Sequence, residues 1–175
     1  QTIALLSELA IDRGIGATLI DLDGRTYLDL NAGVSVASLG HTHPRYVAAL
    51  TKQLEAVSVG SFTSRPRAEL VKLIAELVPG ELSRTQFFSS GAEAVEAAIR
   101  LARSYTKRTD IVGFTCGFHG KTAGVLPLSD VDWKNLVGPL PTGYHIAPYA
   151  DPTRFAGSET ECREHSIKQR RNVIE

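Results

Sequence analysis

The sequence predicts an α/β protein with a parallel sheet, preceded by an antiparallel hairpin that is a different kind of element. Helical segments and short apolar strands alternate over residues 85–115, which is typical of parallel sheets. Near the N-terminus, alternating residues on both sides of Asp23-Gly24 predict a tight hairpin. We therefore expect a small N-terminal unit over 1–44 and the first part of a parallel-sheet domain over 45–175.

The first elements follow from local signals: a helix over 2–11, a hairpin over 15–30, a loop over 31–44, and helices over 45–57 and 65–78. Pro44 suits the first turn of a helix because it has no N–H to leave unpaired. Apolar residues at helical spacing predict the helix that Pro79-Gly80 ends.

The later elements are a strand over 85–89, a helix over 91–105, a strand over 110–115, irregular surface over 129–143, a short strand over 145–147 and a polar helix over 158–171. The run Ile111-Val112-Gly113-Phe114 is apolar, which indicates a largely buried strand. Ligands of parallel α/β sheets bind at the carboxyl ends of the strands. Residues that follow 85–89 and 110–115 are therefore candidates for a shared site.

Composition limits the class of function. The 175 residues carry a formal net charge of zero, which gives no electrostatic reason to expect nucleic acid or a membrane surface as a partner. No apolar run is long enough for a transmembrane helix. Two cysteines are too few for a disulfide framework, so we expect a cytoplasmic protein. The chain contains no methionine, and we expect residues to precede it.

The turn Ser90-Gly91-Ala92 stands between a predicted strand and a predicted helix. The first N–H groups of a helix lack internal partners and carry positive potential, so such turns bind phosphate. Gly91 has no side chain and allows an anion to approach closely. A simpler interpretation is that Ser90 and Glu93 form a capping box that needs no ligand.

A second cluster, Gly117-Phe118-His119-Gly120, follows the next predicted strand. A ring and a polar group between two glycines suit a loop that presents both to a ligand, although a lone Phe more often lies in a core. Zinc is a further possibility, with Cys116, His119, His41 and His43 as the available ligands. Cys116 and His119 form a two-ligand fragment at best, and we expect no metal site.

Together these motifs resemble the cofactor half-site of the class III aminotransferases, the family of the ornithine and 4-aminobutyrate enzymes. The resemblance extends from Asp21 to about Ile146 and includes Gly40-His41-Thr42-His43-Pro44. It implies a partial fold-type I PLP-transferase, in which the hairpin belongs to the small domain and the cofactor is pyridoxal 5′-phosphate (PLP).

The resemblance also assigns roles to residues. Ser90, Gly91 and Ala92 match the phosphate-binding turn. Phe118 matches the aromatic residue that stacks on the pyridine ring, and His119 matches its neighbour beside the cofactor. Val34 matches a residue that approaches the substrate.

The chain departs from the family pattern at its end. The aspartate that pairs with the pyridine nitrogen and the Schiff-base lysine are both expected beyond Glu175, so this chain contains no catalytic residue. Lys121 matches a variable basic position and not that lysine. We interpret the chain as the N-terminal portion of an enzyme and expect the isolated chain to be inactive.

The intact protein is expected to move an amino group from an ω-amino compound to a 2-oxo acid by ping-pong chemistry. Two alternatives stay open: an aminomutase or racemase of the same family, and a non-catalytic fragment or pseudoenzyme. The resemblance implies a homodimer, and the partly apolar segment over 31–44 is expected to lie against the partner subunit.

Overall fold

The computed structural model describes residues 9–57 and 62–174 of the chain. It divides into two compact units, one up to residue 73 and one from residue 74 onward. Most of the helix expected over 2–11 lies outside the described residues, and within them Ile11 already begins a strand. The domain boundary expected after residue 44 stays a prediction.

The first unit begins with a three-stranded antiparallel sheet in the order β1-β2-β3. The strands are β1 (Ile11–Ile15), β2 (Thr18–Asp21) and β3 (Thr26–Leu28). The hairpin expected over 15–30 is confirmed, since β2 pairs with β3 in register across Asp23-Gly24. The sequence analysis missed most of β1, whose residues Ile11-Asp12-Arg13-Gly14-Ile15 do not alternate regularly in polarity.

Asp21 closes the turn of this hairpin and is 6% exposed. Burial alone would raise its pKa, but the Tyr27 hydroxyl and the N–H groups of Arg25 and Asp23 all donate to the carboxylate. These bonds favour the charged form, and the net pKa lies below the ordinary value. The hydrogen bonds to the Asp21 carboxylate therefore stabilise the turn.

The segment after β3 contains a one-turn helical element, α1 (Ala32–Ser35), where the sequence predicted only a loop. Its four residues have φ between +50° and +66°, which is the left-handed region. Asp29 Oδ1 accepts the N–H of Ala32 at 2.8 Å, and Asp29 Oδ2 lies 2.7 Å from His41 Nε2. The contact with His41 is the main reason that the pKa of Asp29 lies below its ordinary value.

Two helices complete this part of the chain, α2 (Pro44–Ala56) and α3 (Arg65–Leu77). Pro44 occupies the first turn of α2, as the sequence predicts. α3 carries apolar residues at helical spacing, as predicted. Leu70 and Leu73 on this face are each nearly half exposed in the described structure.

The second unit contains a two-stranded parallel sheet flanked by helices. Its elements are α4 (Gly91–Thr106), β4 (Ile111–Phe114), β5 (Tyr144–Ala147) and α5 (Glu159–Ile174). β4 pairs with β5 in parallel, from Ile111 opposite Tyr144 to Phe114 opposite Ala147. The α/β class is therefore confirmed, and a small core of Ile99, Val125 and Leu128 packs between α4 and the sheet.

One sequence prediction is wrong in this unit, and another holds with one exception. Residues 85–89 were expected to form a strand, but they pair with no strand among the described residues. A strand depends on a partner for its backbone hydrogen bonds, and local sequence does not supply one. Residues 129–143 lie mostly on the surface, as the sequence predicts, and the exception is Ser129, which is 0% exposed. Its neighbour Leu128 is anchored in the core and carries the serine inward with it.

No helix in the described ranges combines the length and the apolar character that a membrane span requires.

Candidate cofactor site

The first turn of α4 begins at Ser90, which has extended backbone angles and caps the helix. Its Oγ accepts the N–H of Glu93 at 3.2 Å. The Glu93 carboxylate accepts the N–H of Ser89 at 2.8 Å, one residue before the position that a reciprocal capping box would use. Ser90 and Glu93 therefore do cap the helix, as the simpler interpretation holds. The cap provides partners for only some of the N–H groups at the helix terminus.

Two N–H groups of this turn remain available to a ligand. Within the described part of the chain, the backbone N–H groups of Gly91 and Ala92 have no hydrogen-bond partner. A Cβ atom placed on Gly91 would meet no atom within 4 Å. The turn therefore presents free donors and open space at the positive end of a 16-residue helix. This arrangement fits a phosphate monoester dianion.

The Phe118-His119 loop follows β4, as the sequence predicts. The Phe118 side chain is 60% exposed, so its ring is not part of a core in this unit. His119 is half-buried, and its side chain borders an apolar cavity of about 340 Å³ beneath α4. The loop thus leaves the aromatic ring of Phe118 accessible to solvent, whereas the neighbouring His119 is partly buried.

The loop and the turn meet at Gly120 and Ala92. Gly120 has φ +120°, and a Cβ atom placed on it would lie only 2.6 Å from Ala92 Cβ. One helical turn further on, the Thr122 hydroxyl donates to Glu96 Oε1. These contacts place the Phe118 loop beside the free N–H groups of Gly91 and Ala92. The two motifs therefore adjoin one another, although only one of them follows a strand.

The other sequence candidates make no contact that links the turn to the loop. Val34 belongs to the first unit and is 74% exposed. The His41 imidazole already contacts the Asp29 carboxylate, as described above. No three His, Cys, Asp or Glu side chains in the described ranges gather into a group that could hold a metal ion. Lys121 is exposed at the edge of the loop.

The sequence analysis missed Ser129 and Asp130, whose hydrogen bonds reach residues 116–120. A Ser-Asp pair after Pro127 and Leu128 is a typical turn signal. Nothing in that local pattern indicates which distant loop the pair contacts.

Comparisons with known proteins place this site in a family. A profile of the class-III aminotransferases matches residues 4–175. The chain is 39% identical over 141 residues to an acetylornithine aminotransferase of Methanopyrus kandleri, covering 79% of this chain and 36% of that protein. It is 38% identical over 160 residues to an isoleucine 2-epimerase of Lentilactobacillus buchneri, covering 87% and 35%.

A solved structure gives the same result for the fold. The (S)-enantioselective ω-transaminase from Thermomicrobium roseum superposes with a TM-score of 0.86 at 30% identity, over 97% of this chain and 40% of that one. The chain thus spans less than half the length of the proteins it matches. Such fold-type I transaminases use pyridoxal 5′-phosphate. This chain, with its helix-terminal donors and adjoining aromatic loop, belongs to the class-III aminotransferase family.

Proposed function

We propose that this chain supplies the phosphate-binding turn and the ring-covering loop of a PLP-dependent aminotransferase. The observation that carries the proposal is the pair of free N–H groups at Gly91 and Ala92 beside the exposed ring of Phe118. The proposed activity, transfer of an amino group from an ω-amino compound to a 2-oxo acid, belongs to the whole protein. We expect the lysine that binds the cofactor covalently and the aspartate for the pyridine nitrogen outside these 175 residues.

In this proposal each residue has a defined task. The N–H groups of Gly91 and Ala92 donate to the phosphate oxygens, and the Ser90 hydroxyl, whose proton is not used in the cap, donates to a third. Phe118 covers one face of the pyridine ring and excludes water from it. His119 lies beside the ring, and Val34 approaches the substrate. The bound cofactor itself supplies the electron sink for the reaction.

One relative favours a second candidate function. The isoleucine 2-epimerase named above matches 87% of this chain at 38% identity, which is similar to the aminotransferase relatives. An epimerase removes the proton from the α-carbon and returns one to the opposite face, so the amino group stays on that carbon and no 2-oxo acid is consumed. The two functions therefore differ in whether an amino acceptor is needed for turnover.

We propose a homodimer in which residues 31–44 contact the partner subunit, because Val34, Val36 and Leu39 are each at least 66% exposed. Both cysteines, Cys116 and Cys162, are free thiols. Free thiols fit a reducing compartment, and we propose the cytoplasm.

The test uses the protein expressed from its complete reading frame. We expect it to retain one PLP per chain after dialysis and to convert an ω-amino compound only when a 2-oxo acid is present. Inversion of an amino acid without a 2-oxo acid would instead support the epimerase. Failure to retain PLP would contradict both functions. The 175-residue chain, reduced with borohydride in the presence of PLP, should show no single stoichiometric lysine adduct, at Lys121 or elsewhere.

Replacing Phe118 with alanine should shift the absorbance of bound PLP and weaken its binding, with little loss of stability. A core phenylalanine would cost about 3–5 kcal/mol on truncation. We expect well under that cost, roughly 1 kcal/mol or less, because the side chain is 60% exposed. The control is Tyr105→Ala, since Tyr105 is 86% exposed at the other end of α4. A large fall in the Tm of the cofactor-free Phe118→Ala protein with unchanged PLP affinity would place Phe118 in the core instead.

A further inference from the structure

The hydroxyl of Ser129 connects two consecutive residues of the Phe118 loop. Its Oγ accepts the N–H of His119 at 3.0 Å and donates to the carbonyl oxygen of Gly120 at 3.2 Å. The serine is 0% exposed, so water does not compete for either bond. Removing the hydroxyl would leave two partly buried backbone groups of the loop without this partner.

The next residue repeats this arrangement on the other side of Phe118. Asp130 Oδ2 accepts the N–H of Cys116 at 2.8 Å, and the Asp130 N–H donates to the carbonyl oxygen of Gly117 at 2.8 Å. Phe118 makes no hydrogen bond within the described residues. It therefore stands between two pairs of bonded residues. Cys116 and Gly117 are bonded to Asp130. His119 and Gly120 are bonded to Ser129.

The support for Ser129 is itself anchored. Leu128, immediately before it, lies in the core with Ile99 and Val125. The Lys134 ammonium group donates to the Ser129 carbonyl oxygen at 3.0 Å. Neither the packing of Leu128 nor the bond from Lys134 involves the serine hydroxyl. Loss of Oγ should therefore affect the loop and leave both anchors in place.

We propose that Ser129 is a positioning residue that sets the orientation of Phe118 and His119 toward the cofactor ring, with Asp130 in a supporting role. This inference rests on the proposed function of the site. It distinguishes two parts of the site, because the phosphate contacts depend on α4 whereas the ring contacts depend on the Ser129-Asp130 pair. Loss of the hydroxyl should therefore disturb the ring and spare the phosphate.

The test compares Ser129→Ala with Ser166→Ala in the intact protein. Ser166 is the matched control because it is 2% exposed and its Oγ donates to the Pro148 carbonyl oxygen at 3.2 Å, away from the loop. Both variants lose a buried hydroxyl, and we expect both to lower Tm. Only Ser129→Ala should weaken PLP binding, by about tenfold.

The decisive readout is the induced circular dichroism of PLP at saturation, divided by its absorbance. When unbound PLP is first removed by gel filtration, this ratio reports how the ring is held and does not depend on how much protein is folded. We expect it to change in Ser129→Ala and to stay unchanged in Ser166→Ala. The inhibition constant of inorganic phosphate against PLP binding should be unchanged in both, since the phosphate contacts are intact.

Each outcome decides the proposal. If wild-type protein retains PLP and Ser129→Ala keeps its dichroism ratio, whatever its affinity, the positioning role is wrong and the proposed function stands. If wild-type protein retains no PLP, both are wrong. Should Ser129→Ala not fold, Asp130→Ala is used instead, because Asp130 is exposed and loses only the bond to Cys116. An unchanged dichroism ratio in that variant would overturn the inference.

Discussion

Replacing Gly91 with valine is expected to weaken PLP binding by roughly a hundredfold, with almost no change in Tm. The branched side chain would occupy the space that the phosphate needs in order to reach the N–H groups of Gly91 and Ala92. A hydrogen bond to a charged group contributes about 1.5–3 kcal/mol. Loss of one or both bonds therefore corresponds to at least a tenfold change and readily to a hundredfold change in Kd.

Stability should be spared for reasons that are visible at the same position. Gly91 does not have the left-handed backbone conformation that only glycine tolerates well, and a Cβ atom on it would have no neighbour within 4 Å. Valine also has a somewhat higher helix propensity than glycine. The variant should accordingly fold normally and fail only in ligand binding.

Cofactor absorbance after dialysis measures the effect, with Ser89→Ala as the control. Ser89 contributes its backbone N–H to Glu93, and alanine keeps that group. Gly91→Ala should lie between wild type and Gly91→Val, since a single methyl group intrudes less. Equal PLP retention in Gly91→Val and Ser89→Ala would show that the phosphate binds elsewhere.

Replacing Gly120 with alanine is expected to impair both stability and PLP binding. Two effects combine at this residue. Its φ of +120° is rarely adopted by residues with a side chain, and the new Cβ would lie 2.6 Å from Ala92 Cβ. Backbone strain of this kind costs about 1–3 kcal/mol. The contact cannot be relieved by a rotamer change, because both atoms are β-carbons, so the loop must move away from α4.

Gly138→Ala separates these two effects. Gly138 also has a positive φ, +95°, but a Cβ there would meet nothing within 4 Å. We expect Gly138→Ala to lower Tm modestly and to leave PLP affinity unchanged, whereas Gly120→Ala should lower both. Thermal melts of the cofactor-free proteins and PLP titrations provide the two measurements. If the two variants behave alike, the contact between Gly120 and Ala92 does not hold the loop in place.

Much of the local structure could be predicted because its causes lie within a few residues. The Ser90 cap needs only an oxygen that can accept the N–H of Glu93. The β2–β3 turn needs only the Asp23-Gly24 dipeptide between alternating strands. The prediction of a strand over 85–89 is wrong for the opposite reason, because strand pairing requires a second strand that the local sequence does not specify.

By itself, the sequence determined the class of the fold, the family and the residue types that can hold a phosphate and cover an aromatic ring. These properties follow from short-range spacing and from the order of motifs along the chain. The tertiary structure alone decided that Gly120 packs on Ala92 and that Ser129 is buried beneath the Phe118 loop. Such contacts join residues that are at least nine positions apart along the chain, beyond the reach of local sequence signals, and they depend on how the segments between them pack. A serine or a glycine has the same local propensity whether it is exposed or buried, so only the packed fold selects its role.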